Sequence, residues 1–209
     1  MYVRGGGPDE NLILLDGIPL YNVNHAAGFF SAFNSDAIKN VTLYKGNFPA
    51  RFGGRLSSVI DVHMKDGDMN EYHGNVSLGL IAAKVNVEGP IVKGKTSFNV
   101  SFRRTYFDLI AAPLLALITR GEMGEGNSIW GGYYFYDLNL KINHKFSDKD
   151  RLFFSLYSGD DKVYARIRSK DEEYYDLGYD FYSEQKINLD WKWGNRVAAL
   201  RWNHVIRPN

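Results

Sequence analysis

Few residues in this chain are spaced for covalent or metal chemistry. Gly5-Gly6-Gly7 is no phosphate cradle: no Gly-x-Gly-x-x-Gly leads from a strand into a helix, and no Lys-Ser/Thr follows a glycine-rich loop. The five histidines are scattered, none paired at metal-ligand spacing, and His204 stands alone. Asp171-Glu172-Glu173 lacks the alternating oxygen ligands and the glycine of a calcium loop, so it reads as solvated surface. Ser57 and Ser58 have no nucleophile-elbow context. No catalytic group, metal site or cofactor is expected. Asn22 to Asn34 is a loop rich in Asn, Ala, Gly and Phe. The same stretch reads as a structural Ω-like loop whose aromatics pack on their own domain.

The elements that must position these residues show a repeated pattern from Glu71 onward. Val76, Leu78 and Leu80 oppose Asn75, Ser77 and Gly79. Phe98, Val100 and Phe102 oppose Ser97, Asn99, Ser101 and Arg103. Leu138, Leu140 and Ile142 oppose Asp137, Asn139, Lys141 and Asn143. Ile187, Leu189, Trp191 and Trp193 oppose Asn188, Asp190 and Lys192. Successive side chains of a strand point to opposite faces, so each stretch has one greasy and one wet face. Seven antiparallel strands are expected, near 72–81, 83–91, 96–107, 132–146, 151–159, 185–193 and 196–206. Val92 to Lys95, Ser147 to Asp150 and Gly194-Asn195 are short connections; Asp108 to Gly131 and Asp160 to Glu184 are long ones. Leu109 to Ile118 reads either as a short helix or as more of the third strand. Arg166 to Tyr182, with Tyr174, Tyr175, Tyr179 and Tyr182, reads either as a lid or as solvated loop.

A greasy aromatic face backed by Asp, Lys, Arg and Asn suits a membrane β-barrel with a polar lumen, though a soluble β-sandwich also alternates. The 14 tyrosines and 13 phenylalanines, 15% aromatic with tryptophan, are what barrel girdles demand. Mean hydropathy of −0.33 does not count against this, because half of each barrel strand faces water. No apolar run reaches the ~20 residues of a transmembrane helix. A net charge of +1 without a basic stripe excludes a general nucleic-acid binder. Absence of cysteine removes disulfides and thiolate sites and is neutral about compartment. The start at Met1-Tyr2-Val3-Arg4 has no secretion signal, so the chain is expected to be a piece of a longer protein.

Residues 1–66 have a different, glycine-rich texture and read as a small mixed α/β unit. Asn11 to Leu15 is a strand ending in the Asp16-Gly17 turn; Ser35 or Asp36 caps a single helical turn; Val41 to Tyr44 and Val59 to Met64 are strands. The ordered set Val3-Arg4-Gly5-Gly6-Gly7, Leu14-Leu15-Asp16-Gly17, Ala37-Ile38-Lys39-Asn40-Val41, Lys45-Gly46 through Pro49-Ala50-Arg51-Phe52-Gly53-Gly54, and Ser57-Ser58-Val59-Ile60-Asp61-Val62 resembles the plug domain of TonB-dependent outer-membrane receptors, in the form common in Bacteroidota. Glu88-Gly89-Pro90-Ile91 and Phe102-Arg103-Arg104-Thr105-Tyr106 resemble the start of their barrel less sharply.

The resemblance implies a plug over 1–66 and the N-terminal part of an outer-membrane β-barrel over 67–209, a fragment of a receptor with about 22 strands. It implies TonB-dependent transport of a siderophore, oligosaccharide, peptide or cobalamin, gated by the plug, and no enzyme activity. Outer-membrane lipid and the TonB–ExbB–ExbD complex are implied partners, with a surface lipoprotein as an optional one. Arg4, Gly5, Asp16, Gly17, Lys45, Gly46, Arg51, Gly53 and Gly54 carry the plug motif, with Lys45 or Arg51 meeting barrel carboxylates. The loop holding Asn22, Asn24, His25, Phe29 and Phe30 would reach the ligand at the plug apex. Arg103, Asp137, Asn139, Lys141, Asp190 and Lys192 would face the plug from the wall. The contrasting reading is a non-transporting β-rich outer-membrane binding or adhesion protein, or a barrel enzyme.

Overall fold

The computed structural model describes residues 3, 5–123, 127–174 and 180–206. The first part is built on a four-stranded sheet in the order β2-β1-β6-β5: β1 Asn11–Leu15, β2 Ile18–Pro19, β5 Ile38–Tyr44 and β6 Ser58–Met64. β1 runs parallel to β6, and the other pairs are antiparallel. The β1–β2 turn forms because Asp16 and Gly17 both take left-handed φ, 49° and 87°, as a two-residue hairpin of this hand requires. β3 Asn24–His25 and β4 Phe30–Ser31 make a separate small hairpin. The expected helical turn is a 3-10 turn over Ser35–Ala37, and its cap is Asn34, not Ser35 or Asp36. The Asn34 side chain accepts from Asp36 N at 3.2 Å while its amide donates to Ser101 Oγ of the next sheet at 2.6 Å. Its carboxamide has both a donor and an acceptor, so one side chain caps the turn and ties it to the sheet.

The second part is one six-stranded antiparallel sheet in sequence order: β7 His73–Leu78, β8 Ala82–Val92, β9 Thr96–Thr105, β10 Ser128–Lys145, β11 Asp150–Tyr174 and β12 Asp180–His204. Six strands replace the seven expected, because 185–193 and 196–206 belong to one strand. Gly194 resembles a turn in sequence, yet it sits opposite Asp160 in the ladder, and a Cβ there would lie 2.1 Å from Gly159 O. It is a glycine of close backbone approach. The expected 160–184 loop is mostly strand as well. Its charges pair across the ribbon, Lys162 and Arg166 with Asp190 and Arg168 with Glu184, so high polarity coexists with a regular ladder. Tyr175 and Tyr179 lie outside the described residues. Of the two readings of 109–118 the helix forms, as α1 Phe107–Met123 packed on β10. No helix among the described residues is long and apolar enough to cross a membrane, which says nothing of strands.

The register sorts the sheet's side chains into two faces. One face reads Val85–Phe102–Leu138–Ser158–Arg196, then Val87–Val100–Leu140–Leu156–Ala198, then Gly89–Phe98–Ile142–Phe154–Leu200. The other reads Lys84–Arg103–Asp137–Gly159–Asn195, then Asn86–Ser101–Asn139–Tyr157–Val197, then Glu88–Asn99–Lys141–Ser155–Ala199. The polar face is the buried one. Ser101, Asp137 and Lys141 are inaccessible or nearly so, whereas Leu200 and Trp202 are exposed. Residues 3–66 cover the polar face, and their small core of Leu15, Leu20, Ala32, Val62 and Met64 is completed by Tyr157 from the sheet.

This register corrects one expectation. Asp190 and Lys192 share the outer face with Tyr164 and Lys162, while Ile187, Leu189, Trp191 and Trp193 lie on the inner face with Asp161 and Val163. Alternation fixes which residues share a face, not which face is inside. Beyond Asp160 the outer face of the β11–β12 ribbon carries charge and the inner face of β12 carries Ile187, Leu189, Trp191 and Trp193, while Trp130, Tyr134 and Tyr164 also lie on the outer face.

Residues 65–72 connect the two parts at the short-turn end of the sheet. Lys65 N donates to Ala37 O at 2.8 Å and Ser97 Oγ to Asp66 O at 2.8 Å. Gly67 takes φ +80°, and a Cβ there would lie 2.3 Å from Phe98 O. Gly67→Ala therefore meets both a backbone and a steric penalty, about 2 kcal/mol or more. The expected result in the intact protein is faster proteolytic cleavage between 65 and 72, read as initial cleavage rate.

Candidate functional site

The contact between residues 3–66 and the sheet is a polar seam. Near the short-turn end, Asp16 is its hub. Lys141 Nζ donates to Asp16 Oδ1 at 3.1 Å and to Met64 O at 2.9 Å, and reaches Asp66 Oδ1 at 2.9 Å. Ser155 Oγ donates to Asp16 Oδ2 at 2.6 Å, and Met64 N to Asp16 Oδ1 at 3.2 Å. One carboxylate thus joins the β1–β2 turn, strand β6 and two strands of the wall. Lys39 also holds Asp66 at 2.7 Å, and the two lysines keep the Asp66 carboxyl below its usual range against the opposing effect of burial.

Higher up, Asn34 meets Ser101, and Arg103 Nη2 donates to Ser31 O at 2.6 Å. Asn195 donates to Asn22 O at 2.6 Å and accepts from Asn22 N at 3.3 Å. The seam ends in a buried quartet. His25 Nε2 lies 2.8 Å from Asp137 Oδ1, and its Nδ1 2.6 Å from Asp161 Oδ2. Arg103 Nε donates to Asp137 Oδ2 at 2.7 Å, and Tyr157 Oη to Asp137 Oδ1 at 2.8 Å. Tyr133 Oη donates to Asp161 and accepts from Ala26 N at 2.6 Å. The imidazole stacks on Phe135 with ring centroids 4.3 Å apart and planes 4° from parallel.

With a carboxylate on each ring nitrogen, His25 is an imidazolium that donates twice. Burial opposes the charge, but the hydrogen bonds and charges of Asp137 and Asp161 outweigh it and raise the pKa from 6.5 to about 9. Two cations then balance two carboxylates in a site with almost no water contact. The loop carrying His25 is preset: Ala26 and Ala27 both hold left-handed φ, 50° and 54°.

Of the loop residues expected to meet a ligand, His25 is spent on the wall, because two buried carboxylates claim both its nitrogens. Phe30 is half-buried with its ring 5.4 Å from Phe135. Asn22 engages Asn195 through its backbone; Asn24 and Phe29 are exposed. Among the wall residues, Arg103, Asp137 and Lys141 touch residues 3–66, and Asn139 is buried on the same face. Asp190 and Lys192 do not join them. The motif glycines Gly5, Gly17, Gly46 and Gly54 hold positive φ. Arg51 lies 4.6 Å over the Phe52 ring, and with Gly53, Asp61 and Arg201 it lines a cavity of about 520 Å³. Lys45 is exposed after β5, and Arg4 lies outside the described residues. The principal charge contact of the lower seam is the reverse of the one expected: the wall gives the cation, Lys141, and the plug gives the carboxylate, Asp16. Asp161, Tyr133 and Tyr157 were missed. Extending the 151–159 strand by one inward position would have placed Asp161 beside Gly159 and Tyr157.

Residues 1–59 match the family model described as the TonB-dependent receptor plug domain. This region is a plug of that family, seated against a sheet whose inner face is polar. Among solved structures, the chain is similar to the siderophore receptor PirA from Pseudomonas aeruginosa, at 16% identity over 97% of this chain and 37% of that one, TM-score 0.50. It also matches PirA from Acinetobacter baumannii at 17% identity, over 90% of this chain and 32% of that one, TM-score 0.49. The ferric enterobactin receptor PfeA matches at 15% identity over 95% and 38%, TM-score 0.47. No curated protein matches the sequence. The chain spans about a third of the length of these receptors.

The quartet makes loop docking depend on pH. A folded-state pKa above the free value means the stabilisation is complete below pH ~6.5 and is lost as pH rises through about 9. A spin label at Phe29→Cys is expected to gain mobility across that window, and His25→Gln to make it mobile throughout. Asp137→Asn leaves Arg103 and His25 underpaired and should cost about 3–5 kcal/mol of docking stability, measured by denaturant unfolding of the full-length protein.

Proposed function

We propose that the chain is part of a TonB-dependent receptor that imports a nutrient across the outer membrane, with residues 1–66 as the plug and 67–209 as the first part of the barrel. The observation that carries this is the inverted amphipathicity of the sheet, apolar outward and polar toward the plug. A wall facing lipid must satisfy its polar groups on the other side, and a plug bonded through polar groups is a seal that can be broken and remade. Nothing among the described residues is arranged to hydrolyse a fuel. The TonB–ExbB–ExbD complex would supply the work by pulling on the plug, and a surface lipoprotein is an optional capture partner.

The ligand would meet the exposed plug groups Asn24 and Phe29, with the side chain of Asn22, and the inner aromatic wall of Trp191 and Trp193. These two tryptophans stand edge to face with ring centroids 6.2 Å apart. Such a surface stacks on a flat or apolar ligand face, which siderophore, oligosaccharide, peptide and cobalamin substrates all offer. His25 acts by holding the loop and not by touching ligand.

A reversible tether tests the gating. The chain has no cysteine, so Asn34→Cys with Ser101→Cys in the full-length receptor would join plug to wall where the native side chains already meet. Expected: ligand binding persists, uptake stops, and reductant restores it. Unchanged uptake with the disulfide verified would sink the plug reading. Phe29→Ala and Trp191→Ala should each weaken ligand binding roughly tenfold by calorimetry, the usual scale for a buried aromatic contact.

A further inference from the structure

Helix α1 turns its small and polar side chains inward and its large apolar ones away. Asp108, Ala112, Ala116 and Thr119 are buried, and β10 is the element the helix packs on. Arg104 Nη2 donates to Asp108 at 3.0 Å, and Thr119 Oγ1 accepts from Ile129 N and donates to Leu115 O, each at 2.9 Å. Phe107, Leu109, Ile110, Leu114, Leu117 and Ile118 are at least half exposed. At about 100° per residue they span roughly half the helix circumference. No charged residue occurs between Asp108 and Arg120. The helix begins on the outer side of the sheet: a Cβ on Gly132, which shares the outer face with Tyr164, would lie 3.0 Å from Asp108 Cβ. Tyr106 N donates to Ile81 O at 3.0 Å, which sets the first turn beside the β7–β8 connection, where Leu78 and Leu80 are 80% and 95% exposed. Leu78 lies next to the outer row of Val76, Val85 and Phe102.

We propose that α1 is an interfacial helix embedded in the membrane leaflet at the long-connection end of the sheet, its exposed face covered by lipid acyl chains. The inference rests on the membrane reading above. Three observations carry it. The helix face joins the apolar band through Val76, Leu78 and Leu80, and the cation at that junction, Arg104, is held on Asp108 and over the Tyr134 ring. The exposed arc is also wide. A helix seated on another helix needs only the narrow stripe of its seam, whereas half a circumference of leucine, isoleucine and phenylalanine needs a continuous apolar surrounding. Lastly, β9 pairs with β10 only as far as Tyr136, and Thr119 of α1 caps the backbone at Ile129 on the stretch beyond. A strand edge in hydrocarbon must be covered, and a helix covers it without needing another strand. Trp130 and Tyr134, on the outer face either side of Gly132, supply the aromatic residues of a membrane–water interface.

Spin-label accessibility in the full-length receptor, reconstituted in phospholipid vesicles, tests this. Single labels go at Leu114→Cys and Leu117→Cys on α1, at Leu200→Cys on the apolar band and at Lys149→Cys in the short β10–β11 turn. The Leu114 and Leu117 labels are expected to collide with oxygen in preference to a water-soluble nickel chelate, at a depth of about 5–10 Å into the headgroup–acyl boundary. The Leu200 label should share that preference and the Lys149 label should reverse it. A Leu114 label as open to the chelate as the one at Lys149 overturns the proposal. So does a Leu114 label shielded from both probes, the result that a second copy or another protein seated on the helix would give. The Leu200 label separates the two levels: chelate access there fails the membrane reading, whereas lipid at Leu200 with water at Leu114 fails this proposal alone.

Discussion

The structure depends on satisfying a polar sheet face away from bulk water. In a soluble domain the apolar face is buried and the polar face needs no partner. Here Asp137, Lys141, Arg103 and a series of Ser and Asn are the buried groups, and leucines and tryptophans are exposed. Each of those polar groups would cost a few kcal/mol if left dry and unpaired. The plug is therefore as much a requirement of the wall as its occupant. Even the plug's own hydrophobic core is incomplete until Tyr157 of the wall closes it, and that same tyrosine donates to Asp137. Apolar packing and polar satisfaction thus share a residue.

Two anchor points differ in kind. At the lower one, Asp16 works through its turn. Held by a left-handed two-residue hairpin, the Asp16 side chain projects between β6 and the wall, so the Asp-Gly pair is both the fold signal and the contact. At the upper one, His25 works through charge balance, and its neighbours Ala26 and Ala27 hold conformations that are costly for L-residues. A docked imidazolium offsets that strain. The lower anchor is tied to secondary structure, and the upper one to a short loop.

Much of this was legible in the residues. The alternation in 97–103 and 137–143 named the buried polar side correctly because those strands lie where one face is apolar and the other polar along their whole length. The same logic inverted in 187–193, where hydrophobicity was taken to mean outward. In β12 beyond Gly194 the outer positions are polar or charged and the inner ones are Ile187, Leu189, Trp191 and Trp193, a change of environment that period-two alternation cannot encode. Gly194-Asn195 read as a turn because glycine serves both turns and close backbone approach, and only the partner strand tells them apart. The charged run after Asp160 read as loop because cross-strand ion pairs are invisible until the register is known. His25 read as a ligand donor because its partners lie more than a hundred residues away in the chain.

The seam's chemistry also sets how residues 5–66 are held against the sheet and what separating the two would cost. Buried ion pairs contribute little net stability against water, since desolvation offsets most of the Coulomb attraction, but they are specific and costly to break one partner at a time. A plug held by such pairs resists partial displacement more than complete rehydration. Removing His25 alone leaves Asp161 without its cation while Asp137 keeps Arg103 and Tyr157, whereas moving the whole loop out lets water meet all four charges together. The seam therefore favours concerted over piecemeal release. An apolar interface of equal area would reward partial contact at every step and has no such threshold. The charge-balanced quartet at the top and the multiply bonded carboxylate at the bottom set that threshold at both ends of the plug–wall contact, with the weaker neutral bonds of Asn34 and Asn22 between them.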